Sequence, residues 1–464
     1  MEIDQDLPEP SNIDASHEKD RKLSIGADGL PHSPINPHEE GPHDHEDLQK
    51  LEEEESPETS EQAPKVSAVA TVMNLLNSMI GAGILSVPNS FINCGIFISI
   101  LILVIMAVLS LIATFMVIIL AHKKGATGLS ELAFKILGKP GSLSLSILNL
   151  LFLITALTSY LILAGDSFFS WFKLGGIDLE SSTWIRAISI LIYAVVLPIA
   201  LTIPRNISFL QYFSTATVFC VTFFVVVIIY KSIDFMVKNH GFEATVTYAK
   251  FDITAFSSLS IYGLSFALPA VVLPPLRLFD TNIRKRKIVS TFSIAICAFL
   301  VCISGVFGYL NFGTSCDGNV LKSFPDNDIV IIIVRVAFFI IVSCAYPMVS
   351  QSVMGAWDQL VFKDNSPERL PWGKRALVLF LTHIIALLLA MFLPTAKPIL
   401  SVGGALGGCL VDFVYPALFW LFTHKDKGFG HWKNILCILL GIFGLVAAVI
   451  STYQGVLDAI NSFK

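Results

Sequence analysis

Three ionisable side chains, those of Asp166, Arg335 and Asp412, stand inside long apolar stretches of the sequence. Charges are costly in hydrocarbon, so such residues are usually paired with each other or carry ions and protons. Asp412, in GGALGGCLVDFVYP, has no basic residue near it in the sequence and lies beside glycines and shortly before Pro416. Because desolvation favours the neutral form of a carboxyl, Asp412 is a candidate proton carrier. The alternative is an acid that is only hydrogen-bonded near a helix kink.

A second group of residues is suited to ligand binding through the backbone. The stretch NLLNSMIGAGILSVP, residues 74–88, carries Gly81, Gly83 and Pro88 in the middle of an apolar run. Glycine permits an unwound backbone and close approach of a ligand, and an interrupted membrane helix survives only where its freed backbone groups meet partners. The stretch SSLSIYGLSFALPAVVLPP repeats the pattern with Gly263 followed by Pro269. Packing glycines and proline kinks are the alternative explanation.

The elements that position these residues are membrane-spanning helices. The sequence is 54% hydrophobic and only 14% charged, with a mean hydropathy of +0.70. Runs of about 20 apolar residues span a bilayer as helices, which satisfy their own backbone groups. We predict eleven spans, at residues 67–91, 94–121, 142–171, 185–203, 208–230, 253–276, 287–311, 328–355, 376–395, 397–422 and 434–460.

The positions of the two glycine-proline interruptions predict an inverted repeat. They fall in the first and sixth spans, which open two sets of five spans in opposite orientations, and one further span follows. This arrangement is typical of secondary transporters, whose sites lie at discontinuous helices near the midplane. The sequence contains no G-x-S-x-G, H-E-x-x-H or Walker-type motif, so an enzyme is disfavoured and no cofactor is expected.

Charge distribution predicts the domains and the orientation. Residues 1–64 contain 19 acidic and 4 basic residues, and we expect 1–65 to form a disordered acidic cytosolic tail ahead of a transmembrane domain at 66–464. With the amino terminus inside, 17 Lys and Arg residues fall on cytosolic connections and eight on the other side. Asp166 and Arg335 then share one depth, so we predict an ion pair between them at the outer entrance. A static bridge or two independent snorkelling groups are the alternatives.

The sequence resembles the amino acid/auxin permease family between about residues 66 and 460. The resemblance rests on NSMIGAGILSVP at 77–88, LSELAFKILGKPG at 129–141, Gly165-Asp166, GYLNFG at 308–313, and VRVA at 334–337 followed by Pro347. It implies an all-α LeuT-type fold of five plus five inverted helices, with broken helices 1 and 6 and an eleventh helix. It also implies secondary active transport of amino acids by alternating access. Where sodium-coupled neutral members often carry His-Pro-Glu, this chain has Pro269-Ala270-Val271.

Physical reasoning and the resemblance together predict the substrate site. The substrate carboxylate is expected on freed amides at the positive end of a half-helix in the first span, and its ammonium group on freed carbonyls of the sixth. Phe266 is expected to cover the substrate side chain. The predicted residues are Gly81, Ala82, Gly83 and Ile84 for the carboxylate, and Tyr262, Gly263, Leu264, Ser265 and Phe266 for the ammonium group.

The coupling ion has two candidate sites. In sodium-coupled members of the family, a span-1 asparagine and a span-8 hydroxyl help to bind the cation, which points here to Asn77 and Ser343. Another alignment of VSCAYP puts Ala345 at the second position and removes a ligand. Asp412 supports proton coupling instead. The sequence favours the proton slightly over sodium.

The expected biological setting is a multi-pass protein of the plasma membrane or of a vacuolar or lysosomal membrane. We predict a monomer with a neutral amino acid as substrate and with cytosolic regulators acting on the tail. The carboxyl terminus should lie opposite the cytosol. An amino acid sensor, with a transporter-like body that signals through its tail, is the alternative function.

Overall fold

The computed structural model describes residues 66–204, 212–250, 254–361, 371–425, 428 and 431–463. Within these ranges the chain is helical and contains no β-strand. The predicted acidic tail, 1–65, lies outside the described residues, so its disorder stays a prediction.

Eleven helices of eleven or more residues follow one another in this part of the chain, besides shorter helical segments, and we number the eleven in order. They are α1 (Ala68–Ile80), α2 (Gly95–Lys124), α3 (Leu129–Leu174), α4 (Thr183–Thr202, including a π-helical stretch Val195–Ile199), α5 (Tyr212–Asn239), α6 (Ala255–Ser265), α7 (Ile283–Phe312), α8 (Ile329–Val361), α9 (Trp372–Phe392), α10 (Lys397–Thr423, π-helical over Gly404–Val414) and α11 (Trp432–Asn461).

These helices make the chain an integral, multi-pass membrane protein. Among the described residues, ten stretches are long and apolar enough to cross a bilayer, whereas α1 is an apolar helix of 13 residues. Large apolar side chains such as Phe97, Val196 and Phe299 are 65% to 69% exposed, as expected where lipid rather than water surrounds the helices.

The first apolar run departs from a continuous helix at Gly81. Helix α1 ends at Ile80, and Gly81 has φ of 20°, a conformation that strongly favours glycine. A 3₁₀ segment, Ala82–Leu85, and a short helix, Val87–Ser90, complete the run. The sixth run behaves similarly: α6 ends at Ser265, and an inner segment continues as Leu268–Val271 and Leu273–Arg277.

The stretch Leu129–Leu174, here called α3, consists of two helical parts. Gly138, with φ of 75° and ψ of −167°, is not helical and separates the amphipathic connector, which begins at Leu129, from the membrane-spanning part. Pro140 lies two residues after Gly138. The expected span at 142–171 corresponds to the second part, and the connector joins it through a kink.

Helix α10 packs against the sixth run backbone to backbone. A Cβ atom on Gly404 would overlap the carbonyl oxygen of Ser260, and one on Gly408 would lie 2.5 Å from the amide nitrogen of Leu264. Small residues four apart permit such close helix packing in membranes. Asp412 continues this face of α10 and contacts Ala270 farther along the sixth run. We call the face formed by Gly404, Gly408 and Asp412 the α10 seam.

The α10 seam predicts the effect of adding one methyl group. Gly408→Ala should lower the free energy of unfolding by about 1–3 kcal/mol, because the new methyl meets backbone that cannot rotate away. Gly355→Ala in α8 is the control: no atom lies within 4 Å of its added Cβ, so helix propensity should raise stability by up to about 1 kcal/mol. Thermal unfolding of the purified variants in detergent measures both. Equal effects would contradict the packing.

Candidate functional site

A cavity of about 420 Å³ lies at the centre of the helix bundle, where the two interrupted runs meet. Helices α1, α3, α5, α6, α8 and α10 and the segments after α1 and α6 supply its walls. The lining residues are Asn77, Ser78, Met79, Gly81, Gly83, Asn149, Phe152, Leu153, Thr155, Ala156, Ser159, Tyr160, Leu163, Thr217, Val221, Leu264, Ala267, Ala270, Val271, Pro274, Pro275, Phe338, Ile341, Val342, Ala345, Met348, Val349, Ser352, Leu400 and Gly403.

This lining is mostly apolar, and its polar groups are uncharged. Within the described part of the chain, no Asp, Glu, Lys, Arg or His lines the cavity. Amides and hydroxyls, among them those of Asn77, Asn149, Ser159 and Tyr160, stand between aliphatic and aromatic side chains. Such a cavity suits a small molecule without net charge, whose own charged groups are met by backbone dipoles.

The first interruption contributes its two glycines to the cavity. Gly81 and Gly83 line the cavity, and a Cβ placed on Gly81 would lie 3.4 Å from the hydroxyl oxygen of Tyr160. Ile84 is fully buried and is absent from the lining. The side chain of Ala82 lies outside the described part of the structure.

The second interruption contributes less than predicted. Of the five predicted residues only Leu264 lines the cavity, and Tyr262 and Phe266 are almost completely buried behind it. The Ser265 carbonyl accepts a contact from the Cys297 thiol at 3.2 Å. The Phe266 carbonyl accepts from the Ser110 hydroxyl at 2.6 Å. These carbonyls therefore have protein partners, and Phe266 does not cover the cavity.

The other carbonyls and amides of the second interruption bond locally. The Gly263 carbonyl accepts from the amide of Phe266 at 3.1 Å, and the Leu264 carbonyl accepts from Ala267 at 3.3 Å. Gly263 itself packs on Gly408 of α10 rather than on the cavity. The sequence could not reveal these partners, because they come from distant helices or from the local geometry of the bend.

The predicted ion-coupling residues separate in the structure. Asn77 lines the cavity, but Ser343 faces α4, where its hydroxyl and that of Tyr193 are 2.8 Å apart. Ala345 lines the cavity in its place. Asp412 is completely buried outside the lining and accepts a hydrogen bond of 2.9 Å from the amide of Ala270.

Asp166 and Arg335 each bind a partner from the connection between α7 and α8. Asp166 accepts from the Asn319 side chain at 3.0 Å and lies 3.5 Å from Lys322. Arg335 forms a 2.9 Å ion pair with Asp326. The predicted direct pair is thus replaced by two separate contacts, because this connection reaches between the two helices.

The same connection covers the side of the cavity opposite the start of α1. The Asn89 amide donates to the Cys316 carbonyl at 2.6 Å, and the Ser86 hydroxyl donates to the Gly318 carbonyl. Lys322, outside the membrane-spanning segments, also binds Glu180 at 2.9 Å. The nearby carboxylate of Asp166 raises the pKa of Lys322, so the lysine keeps its charge.

A comparison with protein families identifies the chain. Residues 64–457 match the family described as transmembrane amino acid transporter protein. The chain belongs to the transmembrane amino acid transporter family. This agrees with the resemblance found in the sequence, and the family consists of transporters rather than enzymes.

Individual relatives of this transporter family member are distant. The sodium-coupled neutral amino acid symporter 2 of Danio rerio is 24% identical over 422 residues, which cover 84% of this chain and 82% of that protein. Solute carrier family 38 member 10 of Rattus norvegicus is 27% identical over 395 residues, 82% of this chain but 35% of that protein. The chain thus spans about a third of the length of the rat relative.

A solved structure shows the fold of this family member. The crystal structure of MhsT in complex with L-phenylalanine superposes with a TM-score of 0.52 at 13% identity, covering 84% of this chain and 99% of that chain. At this identity the likeness concerns the fold alone. The all-helical body of the transporter therefore has the LeuT-type fold.

Sequence reasoning missed the wall that α3 contributes to the cavity. Asn149, Phe152, Ala156, Tyr160 and Leu163 recur at intervals of three and four residues and share one face of the helix. Small and polar residues at this spacing within an apolar span were a usable signal, although core packing gives the same pattern. Tyr160 is the main addition, since its hydroxyl lies against Gly81.

The outer contacts predict an energetic coupling between Asp166 and Lys322. Lys322→Met should destabilise the protein by removing the cation beside a carboxylate whose side chain is 3% exposed. When Asp166→Asn is added to Lys322→Met, the free energy of unfolding should rise again by about 1–3 kcal/mol, and the double-mutant cycle gives the coupling energy. Thermal unfolding in detergent measures the four proteins.

The matched control for this cycle is the exposed pair of Asp234 and Lys238, 2.7 Å apart on the surface of α5. Because Lys238 is 70% exposed, water screens this pair, and its coupling should be much smaller than that of the buried pair. A coupling between Asp166 and Lys322 no larger than that of the control would contradict the buried contact.

Proposed function

We propose that this chain is a sodium-coupled secondary active transporter of neutral amino acids that works by alternating access. The observation that carries the proposal is the uncharged cavity at the meeting point of the two interrupted runs. A neutral amino acid has no net charge, so it needs no balancing side chain and can be held by backbone dipoles. The Danio rerio relative, which is named a sodium-coupled neutral amino acid symporter, supports the same substrate class.

The two runs are proposed to be broken helices 1 and 6 of a five-plus-five inverted repeat, with α11 as the added helix. In this arrangement the substrate carboxylate binds the amides around Gly81 and Gly83, at the start of the segment Ala82–Leu85. Tyr160 is a further donor, because its hydroxyl lies beside Gly81. The ammonium group meets the second run near Leu264, the predicted residue that lines the cavity.

Sodium is the preferred coupling ion in this proposal, although the sequence slightly favoured the proton. Asn77 lines the cavity and offers an amide oxygen, a ligand that suits a hard cation. Ser343 is a weaker candidate, since its hydroxyl is engaged by Tyr193. Support for the proton is also reduced, because Asp412 lies outside the cavity lining and already accepts a backbone hydrogen bond.

In the proposed orientation the amino terminus lies in the cytosol, because the connections on that side of the membrane carry the excess of Lys and Arg residues. The cavity then extends inward along Pro274, Pro275, Thr217 and Ser352, which lie toward the side where α1 begins. The connection between α7 and α8 closes the outer side through Asn89, Asp166 and Arg335. This arrangement corresponds to a state that faces the cytosol.

Gly83 provides a test of the substrate site. Gly83→Val should abolish saturable counterflow of radiolabelled neutral amino acids in proteoliposomes, because its methyl groups fill space at the substrate carboxylate. Gly83→Ala should cause a smaller loss, since its Cβ would make ordinary contacts at 3.6 Å with Leu264 and Ser265. Transport is normalised to the amount of inserted protein. Unchanged counterflow in Gly83→Val would remove the site from this position.

Imposed ion gradients test the coupling. In proteoliposomes an inward sodium gradient should drive uptake at constant pH, and Asn77→Ala should raise the sodium concentration for half-maximal uptake by about tenfold, the effect of losing roughly 1.4 kcal/mol. Thr291→Ala is the control, because the Thr291 hydroxyl donates to the Lys287 carbonyl within α7 and the residue lies outside the cavity lining. Uptake driven by a pH gradient and indifferent to sodium would overturn sodium coupling. Absence of saturable uptake by the wild type would favour the sensor.

A further inference from the structure

We propose that Asp412 is a positioning residue that holds the inner segment of the sixth run, residues 268–277, against α10. Its carboxylate acts as a hydrogen-bond acceptor for the amide of Ala270 rather than as a carrier of protons. The inference rests on the proposed transport function, because the segment that it fixes forms part of the cavity wall.

The hydrogen bonds at the start of this segment explain why an acceptor is needed. The first amides of a helical segment have no partner within it. The Leu268 amide bonds to the Phe266 carbonyl at 2.6 Å, and Pro269 has no amide hydrogen. The Ala270 amide is the next donor, and its partner is Asp412 at 2.9 Å. Asp412 thus has the role of an N-cap side chain supplied by another helix.

The α10 seam explains how a side chain of α10 can reach this amide. Gly404 lies against Ser260, Gly408 lies against Gly263, and Asp412 follows at the same interval of four residues. The seam runs parallel to the sixth run, so the two glycines bring the backbones together just ahead of Asp412. The π-helical stretch Gly404–Val414 includes all three seam residues.

The position of Asp412 relative to the cavity favours an indirect role. Ala270 and Val271 line the cavity, whereas Asp412 lies behind them and is fully buried. A substrate or sodium ion in the cavity would therefore meet the segment that Asp412 holds and not the carboxylate. The geometry needs an acceptor oxygen at this point, and an amide oxygen of the same reach meets that need as well as a carboxylate does.

Three substitutions separate the acceptor from the charge. Asp412→Asn keeps an acceptor oxygen at the same distance and removes the titratable group. Asp412→Ala removes the acceptor without adding volume. Asp412→Glu keeps a titratable carboxyl but displaces its oxygens in a fully buried site. Counterflow in proteoliposomes gives KM and maximal rate across pH, and hydrogen–deuterium exchange over residues 268–277 reports protection of the Ala270 amide without any substrate.

The proposal expects Asp412→Asn to keep a maximal rate within about threefold of wild type, with the wild-type pH profile and exchange protection. In Asp412→Ala and Asp412→Glu the maximal rate of counterflow should fall about tenfold or more. The amides of residues 268–277 should exchange hydrogen faster in both variants than in the wild type. If Asp412→Glu fails to fold, the comparison of Asp412→Asn with Asp412→Ala still tests whether the acceptor oxygen is needed.

An Asn variant as impaired as the Ala variant would overturn the proposal, as would an active Glu variant beside an inactive Asn variant. Wild-type exchange rates in the Ala variant would also overturn it. A wild type without amino acid transport would defeat the proposed function, while the exchange measurement would still test the contact.

Discussion

Backbone groups that leave a helix inside a bilayer must find partners in the protein, because lipid offers none. The sixth run shows what this constraint demands. Its bend frees carbonyls at Ser265 and Phe266 and an amide at Ala270, and side chains of three different helices meet them: Cys297, Ser110 and Asp412. An interruption of this kind cannot exist in one helix alone, so the helices around it are fixed by it.

The packing of α10 follows from the same requirement. A side chain reaches a backbone amide only if the two helices lie close together, and Gly404 and Gly408 permit an approach that any Cβ atom would block. The α10 seam therefore combines two devices, glycines that bring the backbones together and a carboxylate that uses the short distance. Gly83 differs, because a Cβ at that position would make only ordinary contacts. Close backbone packing therefore does not require a glycine at position 83.

The sequence predicted the apolar helices because apolar length is a local property. A glycine with a following proline indicates a local bend, and α1 ends at Ile80 and α6 at Ser265, close to the glycines of the predicted pairs, Gly83 and Gly263. The partners were harder to predict. Asp166 and Arg335 have matching depth, but depth along two helices does not show that a connecting segment inserts Asn319 and Asp326 between them. The side of α8 that faces the cavity also depends on rotation, which placed Ala345 there and Ser343 against Tyr193.

The connection between α7 and α8 links two ion pairs to the first interrupted run. The connection between α7 and α8 supplies the partners of Asp166 and Arg335 and also accepts hydrogen bonds from Ser86 and Asn89, which follow the first interruption. Moving this connection away would separate two buried charges from their partners, at a cost that water must offset by entering. Displacement of this connection and hydration of these charges should therefore occur together. In the described part of the chain no charged side chain lines the cavity, so an opening of the cavity wall elsewhere would not separate an ion pair of the lining.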